Sequence, residues 1–286
     1  MIDLHVHSTA SDGSHTPEEL VSLAAAIRLK AIALTDHDTA DGLKAFLAQA
    51  ESHPEIELIP GIELAALEDQ EAHQNLHIVG LYLKELSPRM ERLLTQVVSW
   101  RHERNLRMIE KISALGMPIT LEDVQRYAGG MVIGRPHIAC AMVEKGYVSS
   151  LAGAFERFLA SGKPGYEGRR VPSCSEAIAA IHSCGGVAIW AHPYTRGNFT
   201  RTKIRRIALN MKSMGLDGME AYYSLHTPVQ CQNVLNICRE IGLLPSGGSD
   251  FHGSRFKKLD LGTGYGNLAV PDDILPGIRE AAAKLG

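Results

Sequence analysis

Cysteine is scarce in this sequence. Cys140, Cys174, Cys184, Cys231 and Cys238 are odd in number and show no Cys-x-x-Cys spacing. That pattern argues against a disulfide framework and fits buried free thiols in a reducing compartment. No apolar run approaches the roughly 20 residues that a membrane span requires. The first residues are acidic and histidine-rich where a signal peptide would be apolar. We therefore expect a cytoplasmic chain with no membrane contact. The net charge is only −3, too small to make the whole molecule a polyanion binder, so any such contact needs a local basic patch. Internal repeats, low-complexity segments and a Gly-x-Ser-x-Gly nucleophile elbow are all missing. No obligate protein partner is evident.

What remains is ordinary globular composition, 45% hydrophobic and 21% charged over 286 residues. That length suits one large domain, or one domain carrying a smaller insertion. Thirteen histidines stand out, and their placement matters more than their number. In Asp3-Leu4-His5-Val6-His7-Ser8 the apolar and polar residues alternate with the period of a strand. Side chains two apart leave the same face of a strand, so His5 and His7 can converge on one divalent ion. Asp12, in the loop that follows, can add an oxygen.

Thr16-Pro17-Glu18-Glu19 has the signature of a helix start. Ala31–Thr35 is a short apolar run that suits a strand buried on both faces, and it ends in Asp36-His37-Asp38. A third strand around Ile56–Ile62 ends at Glu63, and a fourth, Leu76–Leu81, carries His77. Between about Pro88 and Pro172 the pattern turns helical, with segments at Met90–Leu115, Leu121–Tyr127, Pro136–Lys145 and Leu151–Leu159. Alternation then resumes. A helix at Ser175–Cys184 precedes strand Val187–Ala191, which ends at His192. A basic helix, Arg201–Met214, precedes strand Gly218–Ala221, which leads to Tyr222-Tyr223. Helix Pro228–Ile241 precedes strand Leu243–Gly247, which ends at Asp250-Phe251-His252, and a last helix runs from Asp272 to Lys284.

This order predicts an α/β fold with residues 98–169 as a helical insertion between 1–97 and 170–286. In a β/α barrel the strand ends share one mouth, where His5, His7, Asp12, His37, Glu63, His77, His192, Asp250 and His252 would meet. Imidazole with carboxylate suits Mn, Zn or Fe, and the lack of thiolate speaks against a structural zinc. Nine such residues exceed what one ion can take. Two or three ions can supply a hydroxide at neutral pH and grip phosphoryl oxygens, so no catalytic side chain is required beyond the ligands. Hydrolysis of a phosphoester is the expected reaction.

The motifs at 3–8, Thr-Asp-His-Asp at 35–38, Gly-Ile-Glu at 61–63, Ala-His-Pro at 191–193 and Ser-Asp-Phe-His at 249–252 resemble the PHP (polymerase and histidinol phosphatase) family. The resemblance implies a distorted seven-stranded β/α barrel with a trinuclear metal site, Mn²⁺ favoured and Zn²⁺ or Fe²⁺ as alternatives. It implies that His5, His7, Glu63 and Asp250 hold one ion. Glu63 would bridge to a second ion held with His77 and His192, and Asp12, His37 and His252 would hold a third. Many relatives have histidine where Asp12 stands, which bears on metal preference or occupancy there.

Gly134-Arg135-Pro136-His137 and Gly162-Lys163-Pro164-Gly165-Tyr166 are similar to a bacterial branch. That branch acts on nucleoside 3',5'-bisphosphates and on the 5' ends of short RNA. Arg135 offers a planar donor fork and Lys163 a point charge for a phosphate away from the ions, and His137 can add a contact. Arg169-Arg170 and the run Arg196–Arg206 extend the basic character, and Tyr222 is the candidate to stack a base. The expected function is removal of the 3' phosphate from a nucleoside 3',5'-bisphosphate, with 5'-3' cleavage of short RNA as a related activity. The alternatives are a histidinol-phosphate phosphatase and a non-catalytic module of this fold.

Overall fold

A computed structural model describes residues 1–68, 75–128, 133–195 and 199–285 of the chain. Seven strands lie side by side in sequence order. They are β1 (Ile2–Val6), β2 (Ala31–Leu34), β3 (Glu57–Leu67), β4 (Asn75–Leu81), β5 (Val187–Trp190), β6 (Gly218–Tyr223) and β7 (Leu244–Gly248). The end of β7 returns to β1: the Asp250 N–H donates to the His5 carbonyl and the His7 N–H to the Phe251 carbonyl, both at 2.9 Å. The result is a nearly closed barrel.

Helices fill the connections: α1 (Pro17–Ala26), α2 (Leu43–Leu47), α3 (Pro88–Ala114), α4 (Leu121–Gln125), α5 (Arg135–Glu144), α6 (Leu151–Ala154), α7 (Cys174–Ser183), α8 (Arg201–Ser213), α9 (Pro228–Ile241) and α10 (Leu275–Leu285). Their starts are written locally. Thr16 with Glu19, Ser173 with Glu176 and Thr227 with Gln230 each form a reciprocal capping box, which satisfies backbone N–H groups that the first turn leaves without partners. None of the helices among the described residues is long and apolar enough to cross a membrane. None of the five cysteines is in a disulfide.

The chain divides into two compact units, Met1–Leu93 with Pro172–Gly286, and Leu94–Val171. In the first unit two apolar layers sandwich the strands. Ala31 and Ala33 of β2 pack with Ile2, Leu4, Ile59, Ile189 and Ile278, whereas Ile32 and Leu34 pack with Leu20, Val21 and Phe46. The second unit has its own core around Met108, Ile112, Ile138, Met142 and Leu159.

Three details depart from the sequence reading. First, β1 does not keep a period of two throughout. Leu4 lies in the first layer and Val6 in the second, and the pairing with β2 slips between Asp3 and Val6. His5 and His7 share a target, but Asp3 does not join them; its carboxylate accepts from the Ser249 and Gly262 N–H groups at 2.8 Å. Second, β3 runs past Glu63 to Leu67, because Ala65, Ala66 and Leu67 continue its ladder with β4. Third, β4 is antiparallel to both β3 and β5. His77 therefore reaches the mouth from near the start of its strand, whereas His192 follows the end of β5.

Candidate metal centre

All nine histidines and carboxylates named for the mouth converge there. Four overlapping groups each bring their ligand atoms within 4.8 Å of one another: His5, His7 and Asp250; His5, Glu63 and His192; His37, Glu63 and His77; and His7, Asp12, His37 and His252. Glu63 is the hub. Its Oε1 lies 2.7 Å from His77 Nδ1 and 3.0 Å from His192 Nε2, while its Oε2 lies 2.6 Å from His37 Nδ1. Asp250 Oδ1 sits 3.4 Å from His5 Nε2 and 3.1 Å from His7 Nε2. Asp12 Oδ1 is 3.3 Å from His252 Nε2.

The backbone is bent to deliver these groups. His192 and Asp250 have φ values of 33° and 58°, a left-handed conformation that side-chain-bearing residues rarely adopt. Gly248 packs directly on β1, since a Cβ there would fall 2.4 Å from the Cβ of His5. These close approaches are what bring the ends of β1 and β7 together.

Residues behind the cluster fix the imidazoles. His5 Nδ1–H donates to Glu220 Oε1 at 3.1 Å, and Glu220 Oε2 accepts the His192 N–H at 2.7 Å. The Thr195 hydroxyl donates to the His192 carbonyl at 2.9 Å, so its oxygen accepts from His192 Nδ1 at 3.0 Å. His252 Nδ1–H donates to the Asp250 carbonyl at 2.8 Å, and the Tyr223 hydroxyl donates to Asp250 Oδ2 at 3.0 Å. In His5, His192 and His252 the Nε2 lone pair is thereby turned inward, as metal ligation requires.

Burial and charge oppose each other here. Burial works against ionising Glu63, but His77, His37 and His5 hold it well below the usual carboxylate range. Burial also works against Asp12 and Asp250, and their histidine neighbours outweigh it. His252 resists burial through Asp12 and is lifted to about 9. His7, fully buried and facing His252 and His37, is pushed down to about 3. Protons on histidine thus stand where cations would balance the carboxylates. His5 Nε2, both nitrogens of His7 and Asp12 Oδ1 are buried without a well-formed hydrogen bond among the described residues. Buried polar atoms left this way are costly, and a nitrogen and oxygen set of this kind fits divalent ions.

The substrate residues named from the sequence behave differently from one another. Arg135, at the start of α5, lies 5.8 Å from the Phe155 ring centroid and 5.7 Å from that of Tyr166. His137 is buried, and its Nδ1 accepts the Gly134 N–H at 3.1 Å, so it caps α5. Lys163 is exposed. Tyr222 packs against the apolar layer that contains Val270, and its neighbour Tyr223 is the tyrosine that faces His192, at 5.3 Å between ring centroids. The bulge in β6 between Glu220 and Tyr222 brings this about. Arg196 lies outside the described residues.

Sequence reasoning passed over Glu220, Thr195 and Arg104. Glu220 had a legible signal, a single acid inside an otherwise apolar strand. Arg104 had none. It is buried in the second unit, where burial and then Arg101, Arg169 and Arg135 lower its pKa to about 9. Its Nε has no partner, and its Nη1 donates to Met108 Sδ at 3.2 Å. A buried guanidinium among like charges is the setting of an anion site.

Comparisons with known proteins identify the family. The model of the PHP domain family matches residues 3–163. The chain is 36% identical over 251 residues to the 5'-3' exoribonuclease Rnm of Escherichia coli K12, spanning 87% of this chain and 84% of that protein. It is 33% identical over 252 residues to the 3',5'-nucleoside bisphosphate phosphatase of Chromobacterium violaceum, spanning 88% and 87%. A solved structure from Bifidobacterium adolescentis, provisionally described as a metal-dependent phosphoesterase, matches with a TM-score of 0.85 at 29% identity. That match covers 98% of this chain and 96% of the other.

Proposed function

The chain belongs to the PHP domain family, and from that premise we propose that it removes the 3' phosphate of nucleoside 3',5'-bisphosphates. It is a metal-dependent hydrolase of phosphoric esters. The same chemistry on the first diester of a 5'-phosphorylated RNA makes 5'-3' cleavage of short RNA the companion activity, in keeping with the exoribonuclease relative. The observation that carries the reading is the convergence of nine histidines and carboxylates in four overlapping groups, with the candidate ligand atoms of each group within 4.8 Å of one another.

Two or three divalent ions, with Mn²⁺ the favoured species, would be held by His5, His7, Asp12, His37, Glu63, His77, His192, Asp250 and His252. When bound, they lower the pKa of water and neutralise charge on the phosphoryl oxygens. Around them Glu220, Thr195 and Tyr223 hold the ligands in orientation. Arg135 and Lys163 hold the 5' phosphate, with His137 setting the start of the helix that carries Arg135. Arg104 lies buried among Arg101, Arg169 and Arg135, a setting that suits an anion within the second unit.

Phosphate release from adenosine 3',5'-bisphosphate with Mn²⁺, beside histidinol phosphate and a short 5'-phosphorylated RNA, tests the proposal. Adenosine 5'-phosphate is the expected product of the first. Release from histidinol phosphate alone would overturn the bisphosphate reading.

A further inference from the structure

The segment that follows His252 is basic and carries an exposed aromatic ring. It reads Gly253-Ser254-Arg255-Phe256-Lys257-Lys258-Leu259-Asp260, with Asp260 as its one acid. Ser254 through Lys258 are all exposed, and Phe256 is 49% exposed despite its apolar ring. Arg255, Lys257 and Lys258 form no ion pair among the described residues. Both ends of the segment are tied down. The Ser14 N–H donates to the His252 carbonyl at 3.2 Å, and the Ser254 N–H donates to the Ser14 hydroxyl oxygen at 2.9 Å. At the other end Leu259 and Leu261 are buried, and Asp260 exchanges backbone hydrogen bonds with Gly264 at 2.8 and 2.9 Å. The residues between form a loop that is held at its base and open to solvent.

This loop borders the open side of the metal centre. The Phe256 ring meets the His252 ring edge to face at 5.3 Å. His252 belongs to the ligand group that contains Asp12 and His37, which are partly exposed where His5, His7 and Glu63 are buried. Ser14, which anchors the loop, lies in the same connection between β1 and α1 as Asp12. A strand that leaves the centre by way of Asp12 runs along Phe256.

Hydrolysis of the first diester of an RNA breaks the bond from phosphorus to the 3' oxygen of the first nucleotide. Water supplies hydroxide to the phosphorus and a proton to that oxygen. The phosphorus keeps its ester bond to the second nucleotide, so the rest of the strand leads away from the centre. A nucleoside 3',5'-bisphosphate has nothing in that position. A run of cations alone suits any polyanion, and a lone exposed ring suits many apolar surfaces. Together within four residues they match a single strand, whose phosphates pair with cations and whose bases stack on rings. We propose that Arg255, Phe256, Lys257 and Lys258 form the track for the RNA strand beyond the scissile phosphate. Phe256 stacks a base there, and the three cations lie along the backbone. This rests on the RNA-cleaving reading above and adds a site that the bisphosphate does not use.

The test compares kcat/KM for adenosine 3',5'-bisphosphate and a short 5'-phosphorylated RNA. It uses metal-loaded wild type, Phe256→Leu, and a triple variant with Arg255→Ala, Lys257→Ala and Lys258→Ala. Circular dichroism and metal content report whether each variant is folded and loaded. The triple variant should lose roughly tenfold on RNA at low salt. It should also flatten the logarithmic salt dependence on RNA by about 2, since each phosphate contact to a single strand contributes about 0.7. Phe256→Leu should lose roughly tenfold on RNA through the missing stack. Both variants should hydrolyse the bisphosphate as wild type does. Unchanged RNA rates, or equal losses on both substrates, overturn the track and leave the bisphosphate reading standing. A wild type that hydrolyses the bisphosphate and leaves RNA intact overturns the RNA activity and the track with it.

Discussion

Asp250 shows how much structure one ligand needs. Its backbone is left-handed, its Oδ2 takes the Tyr223 hydroxyl, and its Oδ1 faces His5 and His7. Asp250→Asn keeps the shape and removes the charge. It should lower turnover more than roughly a hundredfold with unchanged helical content, because it alters a ligand itself and not a residue behind one. Near-normal rates would remove Asp250 from the centre. Tyr223→Phe should weaken metal affinity by roughly ten- to a hundredfold, read from a metal titration. His252 contributes to the pH dependence, as do His5 and His37, whose pKa values are also raised. In the metal-free protein the His252 pKa is lifted to about 9, above the ~6.5 of an unfolded histidine. The folded form then binds the extra proton between those values. Stability of the metal-free protein should therefore fall as pH rises from 6.5 to 9, measurable by thermal unfolding in chelator. Metal must displace the same proton, so affinity should strengthen over that interval, with proton release on loading. Outside the centre, Arg135→Ala should reduce kcat/KM for a nucleoside bisphosphate far more than for an aryl phosphate. Equal losses on both would take Arg135 out of recognition.

Among the elements, the strands carry most of the information and one of them is reversed. Seven strands were legible from their apolar runs, and the start of the first helix from Thr16 and its partner three residues on. The direction of β4 was not, because a run such as Leu76–Leu81 reads the same either way and direction is set by pairing with β3 and β5. His77 was nonetheless placed at the mouth, since reversal moves the start of the strand to that end. Tyr222 and Tyr223 could not be told apart, because the bulge that turns one of them to the ligands comes from the register with β7. Arg104 sits in the charged stretch Arg101–Arg107 of α3, where nothing in the sequence sets it apart from its exposed neighbours, and only the fold gathers the other arginines. Where β7 meets β1, Gly248→Ala would put a methyl against His5. We expect a loss of about 1–3 kcal/mol in stability, as for other overpacked sites, together with reduced metal content.

At the scale of the whole molecule, the histidines are spread over nearly the entire sequence, and only barrel closure makes them neighbours. Loops and strands from His5 to His252 must all be in place before the site exists. Metal that binds the folded form alone should stabilise it, by about 2.7 kcal/mol at a hundred times the dissociation constant. A chelated sample should accordingly melt lower than a loaded one. The most direct measurement counts ions per chain while following 3' phosphate release from adenosine 3',5'-bisphosphate, first after chelation and then during readdition of Mn²⁺. Activity should vanish with the metal and return as two or three ions bind. Full phosphate release from metal-free protein would contradict the assignment of the nine residues.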